Sequence, residues 1–195
     1  KRCEVHGDDK ARNELDAAIA AKMTVTGTVY NSDMSGFTRI TKKHGILHFL
    51  SMIVKMRSIC GPIIASCNGR ILHYDGDNVI ALFPTPQDGA NAALRVQRAL
   101  REYNGKQDPD SKLLLKIGLA HGEMLDTGKQ LFGETWEACE LLGEELGEKR
   151  QVLMAESIAN TVDLGAFADI IVSKDVRSYP EDEMPKAVGD TYTVL

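Results

Sequence analysis

An aspartate that follows an apolar, β-prone run and precedes a small-residue turn is the first place in this sequence where chemistry could be done. The run at 25–30 leads to Asp33 within the stretch YNSDMSGFT at 30–38. Ser35 and Gly36 make the turn, and a helix-like pattern begins at Phe37. A strand that reaches Asp and turns through Gly into a helix joins two useful groups. One is a hard oxygen ligand for Mg²⁺ or Mn²⁺; the other is a set of backbone N–H groups at a helix N-terminus, aimed where a phosphate could sit. The same turn also occurs simply as a turn, so the pattern needs support from elsewhere in the chain.

The elements that must position these residues follow from patterning. From Phe37 a helical pattern runs to Cys60, and Gly61-Pro62 is expected to break it. A short helix at 63–67 then stops at Asn68-Gly69. Runs at 71–74 and 79–83 flank Asp75-Gly76-Asp77-Asn78 and predict a tight hairpin. Thr85, Pro86 and Asp88 have the order of a capped helix start, and that helix runs to about Tyr103. Residues 113–125 read as a strand, Thr127-Gly128 as a turn, 130–132 as a short run and 134–145 as a helix. Short strands are expected at 152–155, 169–172 and 192–195. The order β-α-α-β-β-α-β through residue 125 predicts an α+β, ferredoxin-like core with its helices on one face, followed by a C-terminal extension. Residues 1–24 are set apart as a leader, polar and then helical, with Leu15, Ile19 and Met23 at i, i+4, i+8. The end of a connecting helix, a dimer contact and a loosely packed leader all fit that stripe.

In this topology the first strand, ending at about Ser32, is central and lies beside the hairpin. Asp33 and Asp77 can then approach each other. Two carboxylates sharing one or two divalent ions form a template for in-line attack at phosphorus, where one ion lowers the pKa of the attacking hydroxyl and the other holds a polyphosphate leaving group. The alternative is that Asp75 and Asp77 serve only the turn. The loop is not an EF-hand, because no bidentate Glu follows at the required spacing.

Composition narrows the classes. The chain has 195 residues, about one domain's worth, with 43% hydrophobic and 26% charged residues. Its net charge of −5 and lack of a basic stripe argue against general nucleic-acid binding. No stretch is expected to reach the roughly 20 apolar residues of a membrane span. No signal peptide is visible, but the sequence also starts without Met, so absent targeting says little; the expected location is cytoplasmic, with a piece of a larger or membrane-associated protein left open. Cys3, Cys60, Cys67 and Cys139 form no close pair and are expected to be reduced thiols, partly buried. His44 and His48 share a helix face without a third ligand, which argues against zinc.

Four stretches together resemble the catalytic domain of class III nucleotide cyclases, the adenylate/guanylate cyclase family: YNSDMSGFT, GRILHYDGDNVIALF, LKIGLAHGEML and LFGETWEACELL. The first is similar to the family's aromatic-x-Asp-x-x-Gly-Phe-Thr signature, the second to its Gly-Arg…Gly-Asp hairpin and the third to its IGIHTGE-type strand. The resemblance covers residues 26–195, and the domain boundary is drawn at 25–195. It implies a cyclase homology domain that works as a head-to-tail dimer, or with a complementary cyclase domain, and converts ATP or GTP to the 3′,5′-cyclic nucleotide and pyrophosphate. It implies that Asp33 and Asp77 bridge two Mg²⁺ or Mn²⁺ ions, with the carbonyl of Met34 helping to hold one. The N–H groups of Gly36, Phe37 and Thr38 would cradle the triphosphate, and the purine-reading positions fall on His73 and Gln130.

The sequence departs from the family over the other half of the site. His73 replaces the purine-reading Lys, and Gln130 stands where Asp, Thr or Cys selects the base. Glu137 replaces the ribose-orienting Asn, and Leu141 replaces the Arg that stabilises the transition state. A late Lys falls near Val188, with Lys186 two residues away. His121 matches a His common in the family's third motif and is expected to be structural, and Trp136 is expected to pack. The resemblance therefore implies a cyclase domain that supplies the metal half of a site. The other reading is a catalytically silent cyclase homology domain, a regulatory or scaffolding dimerisation module.

Overall fold

The structure, a computed structural model, describes residues 9–165, 172–175 and 191–194, with side chains from residue 12 to 165. Cys3, Lys186 and Val188 lie outside the described residues.

Helix α1 (Asp9–Met23) leads into strand β1 (Thr24–Met34), the spine of a mixed sheet. This strand runs antiparallel to β3 (Asn78–Phe83) on one side and to β4 (Leu115–Asp126) on the other, and β3 pairs in turn with β2 (Arg70–Asp75). Beyond β4 the sheet continues through β6 (Val152–Met154), β8 (Thr191–Val194) and β7 (Val172–Asp175), and the two-residue β5 (Leu131–Phe132) pairs with the end of β4. The inner order β2-β3-β1-β4 is that of the expected ferredoxin-like core, and the later strands are its extension. β1 continues through Asp33 to Met34, two residues past the expected end, because β4 pairs with it along its whole length.

Side-chain alternation along β1 assigns its residues to two faces. Tyr30 and Met34 enter a core shared with α3 (Ile46–Ser66) and α4 (Pro86–Asn104), around Phe49, Met56, Phe83 and Leu100. Val29 points the other way, into a smaller cluster with Ala120, Cys139, Leu142 and Leu153. Asn31 and Asp33 share the face of Val29. That second face is covered by α5 (Glu134–Glu140) and a π-helical turn at Leu141–Leu146, so the helices do not all lie on one side. The expected single helix at 134–145 widens into π geometry where Gly143 presses on β1 and β4. A Cβ at Gly118 would lie 2.4 Å from both the Cys139 carbonyl oxygen and the Gly143 nitrogen. Backbone meets backbone there, and only glycine at both positions permits it.

Two expectations about the long helical region need correction. Gly45, at φ 84, separates α2 (Phe37–His44) from α3, and α3 then runs straight through Gly61 and Pro62 to Ser66. Pro62 and Ser58 both lie on the exposed side, where water can take the carbonyl that the proline leaves unbonded. At 21 residues α3 is also long and apolar enough, by length and composition alone, to cross a membrane. Its buried residues, among them Phe49, Met52, Met56, Cys60 and Ile64, nevertheless form one face of the core. Cys60, Cys67 and Cys139 are buried free thiols, and burial pushes Cys60 up to about 12. The helix stop at Asn68 (φ 61) and the Thr85 cap, whose hydroxyl accepts from the Asp88 N–H, are as expected.

α2 is held from the side. Asp110, in a short 3₁₀ turn at Pro109–Ser111, receives Arg39, Lys43 and His44, the last at 3.1 Å. His48 stacks near His44, with ring centroids 4.9 Å apart, so the histidine pair is part of this clamp. Hydrogen bonds from Lys43, His44 and Arg39 hold the Asp110 carboxyl well below the usual range.

The Gly118 contact predicts that Gly118→Ala destabilises the fold by about 2–3 kcal/mol through overpacking. Gly61→Ala, where the nearest atoms are 3.9 Å from the new Cβ, should stabilise it by about 0.5–1 kcal/mol. Urea midpoints shifting in the reverse order would contradict the packing described here. Because the folded Asp110 has a depressed pKa, its contribution is complete above the ordinary value of 3.8 and is lost as pH falls below it. The melting-temperature difference between the native chain and Asp110→Asn should therefore hold steady through the neutral range and shrink only in acid.

Candidate functional site

Register brings the two aspartates together. Ser32 of β1 pairs with Val79 of β3, so Asp33 lies beside the turn of the β2–β3 hairpin, where Gly76 takes φ 55 and Asp77 follows. The carboxylates interact: Asp77 has a raised pKa, caused first by burial and also by the Asp33 and Glu144 charges, with its own backbone hydrogen bond and Lys116 acting against them. Asp77 and Asp33 are both partly buried.

The turn after β1 opens α2. Gly36 takes φ 109, which other residues rarely adopt, and no side chain caps the helix. The first-turn N–H groups are thus left for another partner. No acidic side chain lies in that first turn. Phe37 and Thr38 are exposed, and the Phe37 ring meets Phe49 edge-on at 4.9 Å. Met34 buries its side chain in the main core, so it could serve a metal only through its carbonyl.

Residues that sequence reasoning missed complete the surroundings. Lys116 pairs across the sheet with Asp33, and its Nζ lies 2.7 Å from Asp33 Oδ2. The same ammonium donates to the Glu144 backbone carbonyl on the π-helical turn. Glu144 Oε1 accepts from Asn31 Nδ2 at 3.0 Å and from Asn78 Nδ2 at 2.7 Å. One carboxylate thereby ties β1, the hairpin and the π turn around the aspartates. Asn31 carried a usable signal, since it sits two residues before Asp33 and must share its face. Glu144 carried none, because its approach depends on where α5 packs.

Next to this cluster lies a cleft of about 400 Å³. His73, Gln130 and Glu137 all line it, so three positions that the resemblance assigned to one half of a site do converge. Asp75, Glu140 and Glu144 line it as well, while among the described residues no Lys or Arg does. Burial raises the Glu140 pKa, and the Glu144, Glu137 and Glu145 charges add to the rise. Leu141 does not reach the cleft; it is buried in the smaller core cluster, and Glu140 is the neighbouring residue that faces the opening. His73 Nδ1 is buried without a hydrogen-bond partner. Trp136, half-buried, packs against the smaller cluster and forms part of the wall. His121 is structural, its Nδ1 2.9 Å from Thr28 Oγ1.

Among the described residues no group of three or more His, Cys, Asp or Glu is arranged to hold a metal by itself. The donor set of Asp33, Asp77 and a carbonyl still suits Mg²⁺, which ordinarily takes one or two carboxylates and completes its shell with water and substrate phosphates. Asn31 Oδ1, fully buried on the same face and without a hydrogen-bond partner, is an acceptor of the kind a metal-bound water satisfies.

No family model matches the chain. A curated relative, the serine/threonine-protein kinase pkn2 of Myxococcus xanthus, is 24% identical over 67% of this chain, and the putative adenylate cyclase 3 of Rhizobium meliloti is 21% identical over 65%. The matched stretches span only 16% and 20% of those proteins' lengths. Among solved structures, the adenylate/guanylate cyclase/hydrolase of Silicibacter pomeroyi superposes with a TM-score of 0.71 at 17% identity, covering 88% of this chain and 95% of that one. A bacterial light-regulated adenylyl cyclase gives 0.66 at 20% identity over 88% and 90%. An adenylate cyclase of Trypanosoma brucei gives 0.67 at 15% identity over 87% and 89%. With its motifs on the strands and turns where the resemblance requires them, the chain has the fold of the adenylate/guanylate cyclase catalytic domain.

Proposed function

We propose that this domain binds ATP or GTP with divalent metal and supplies the metal half of a nucleotide cyclase site. The observation that carries the reading is the pairing of Asp33 with Asp77 beside the uncapped N-terminus of α2. Asp33, Asp77 and the Met34 carbonyl would hold two Mg²⁺ or Mn²⁺ ions. Bound there, such ions supply the charge that lowers the pKa of a 3′-hydroxyl and steadies the pyrophosphate leaving group. The N–H groups of Gly36, Phe37 and Thr38 take the triphosphate, as helix N-termini favour anions. ATP and GTP are cytoplasmic, which is where the proposed chemistry belongs.

The cleft with His73, Gln130 and Glu137 cannot serve as the other half in a homodimer that turns over quickly. In-line displacement builds negative charge on the phosphoryl oxygens, and a positioned cation is worth about 3 kcal/mol, on the order of a hundredfold in rate. Here Leu141 is buried and uncharged, and Glu137, Glu140 and Glu144 add charge of the wrong sign. A complementary cyclase domain carrying the Asn and Arg is the partner this reading calls for. The same acidic cleft favours a second reading, a silent cyclase homology domain that regulates or scaffolds through dimerisation.

Mn²⁺ with a non-hydrolysable ATP or GTP analogue should raise the melting temperature, since a ligand of the folded state stabilises it by mass action. Asp33→Ala and Asp77→Ala should each abolish the shift, and a double variant that keeps it would refute the metal assignment. The chain alone should form cyclic nucleotide very slowly. Mixing it with a cyclase domain that has the Asn and Arg but lacks its own metal aspartates should raise the rate by about a hundredfold or more. Persistent silence in the mixture, with the Mn²⁺-dependent shift intact, would establish the second reading.

A further inference from the structure

Asp33 already has a cation. Lys116 stands in register opposite it on β4, with Nζ 2.7 Å from Oδ2 and only 14% of its side chain exposed. The ammonium is fixed from a second side by the Glu144 carbonyl, and the Glu144 carboxylate is itself held by Asn31 and Asn78. Lys116 is thus a fixed part of the cluster, unlike a surface side chain that drifts in and out of contact. Without it, Asp33, Asp77 and Glu144 would face one another with no positive charge between them among the described residues. Among the described residues, the neighbouring cleft offers no Lys or Arg in its place.

A divalent ion coordinated by Asp33 would need the same carboxylate and would sit within a few ångströms of the ammonium. Like charges that close, away from bulk water, repel strongly. The geometry points to Lys116 as a tethered counter-ion that neutralises Asp33 in the metal-free domain and competes with the divalent ion for that carboxylate. This rests on the metal reading of Asp33 and Asp77. Its consequence is that the domain folds with its acidic cluster already balanced and takes up metal only when the ion, aided by nucleotide phosphates, outbids Lys116 for Asp33. The apparent affinity for the bare ion is lowered by the fraction of molecules in which Lys116 holds Asp33. Lys116 is accordingly a positioning residue that acts through Asp33.

The test is Mn²⁺ binding to the whole chain without nucleotide, followed by electron paramagnetic resonance of the free ion. Lys116→Met should bind Mn²⁺ about tenfold or more tightly than the native chain, while its metal-free melting temperature falls. Lys116→Arg, which keeps the charge, should retain the native affinity. Lys116→Gln offers a second neutral side chain if the methionine variant does not fold, and it carries the same expectation. Equal or weaker binding by the neutral variants would overturn the competition while leaving the metal site in place. Tighter binding that persists when Asp33→Ala is added would also overturn it, because the gain would not pass through Asp33. No binding by the native chain or by either neutral variant would also overturn the competition, because removing Lys116 would then release no site for the bare ion, whereas the metal reading itself stands or falls on the melting shift with Mn²⁺ and the nucleotide analogue.

Discussion

Strand β1 is hydrogen-bonded along both edges, and a slip of one residue against β3 or β4 would turn Asn31 and Asp33 to the opposite face of the sheet. Its register therefore decides whether a site exists. Pairing with β3 sets Asp33 beside the hairpin turn that carries Asp77, and pairing with β4 sets Lys116 against Asp33. Burial on both faces enforces that register. Tyr30 and Met34 must enter the larger core, while Val29 must enter the smaller one. The Gly118–Gly143 contact adds a steric stop, since the π turn that delivers Glu144 can approach only where neither backbone carries a Cβ. Packing and chemistry thus share one constraint, and neither can shift without the other.

Charge is distributed unevenly around this frame. At the end of β1 the carboxylates of Asp33 and Asp77 are balanced by Lys116 and lie near open helix amides, an arrangement suited to a metal-bound polyphosphate. A short distance away, beyond Asn78 and Glu144, the cleft is lined by Asp75, Glu137, Glu140 and Glu144, with no positive side chain among the described residues. A triphosphate is favoured at the first place and repelled at the second. On the proposed reading, one chain carries the metal half of a phosphoryl-transfer site, while the positions that fall on the other half are acidic or apolar. That asymmetry links the fold, which is shared with the cyclases, to the proposal that the domain works with a complementary partner.

Much of the arrangement was legible before any coordinates. The β-prone run of β1, the Gly76 hairpin, the Thr85 cap and the Asn68 stop are written in local residue choice, and each stands where patterning put it. Pro62 misled because proline breaks a helix only where the lost hydrogen bond is costly, and its exposed face makes it cheap. The opposite placement of α5 was not legible from element order up to residue 125, because it depends on two glycines, Gly118 and Gly143, that meet only in three dimensions. Lys116 and Glu144 escaped for the same reason. A Lys in a strand pattern reads as solvent-facing until its cross-strand partner is known, and a Glu in an acidic helix reads as surface. Asp33, Asp77, His73, Gln130 and Glu137 were reachable because motifs, rather than packing, carry them.

The most direct measurement is anomalous diffraction from crystals of the chain grown with Mn²⁺ and a non-hydrolysable ATP analogue. Manganese density is expected within coordinating distance of both the Asp33 and Asp77 carboxylates, with Lys116 withdrawn from Asp33 and the triphosphate over the first turn of α2. Manganese held instead by Glu137, Glu140 and Glu144 in the cleft, or nucleotide bound there with Lys116 still on Asp33, would contradict that placement.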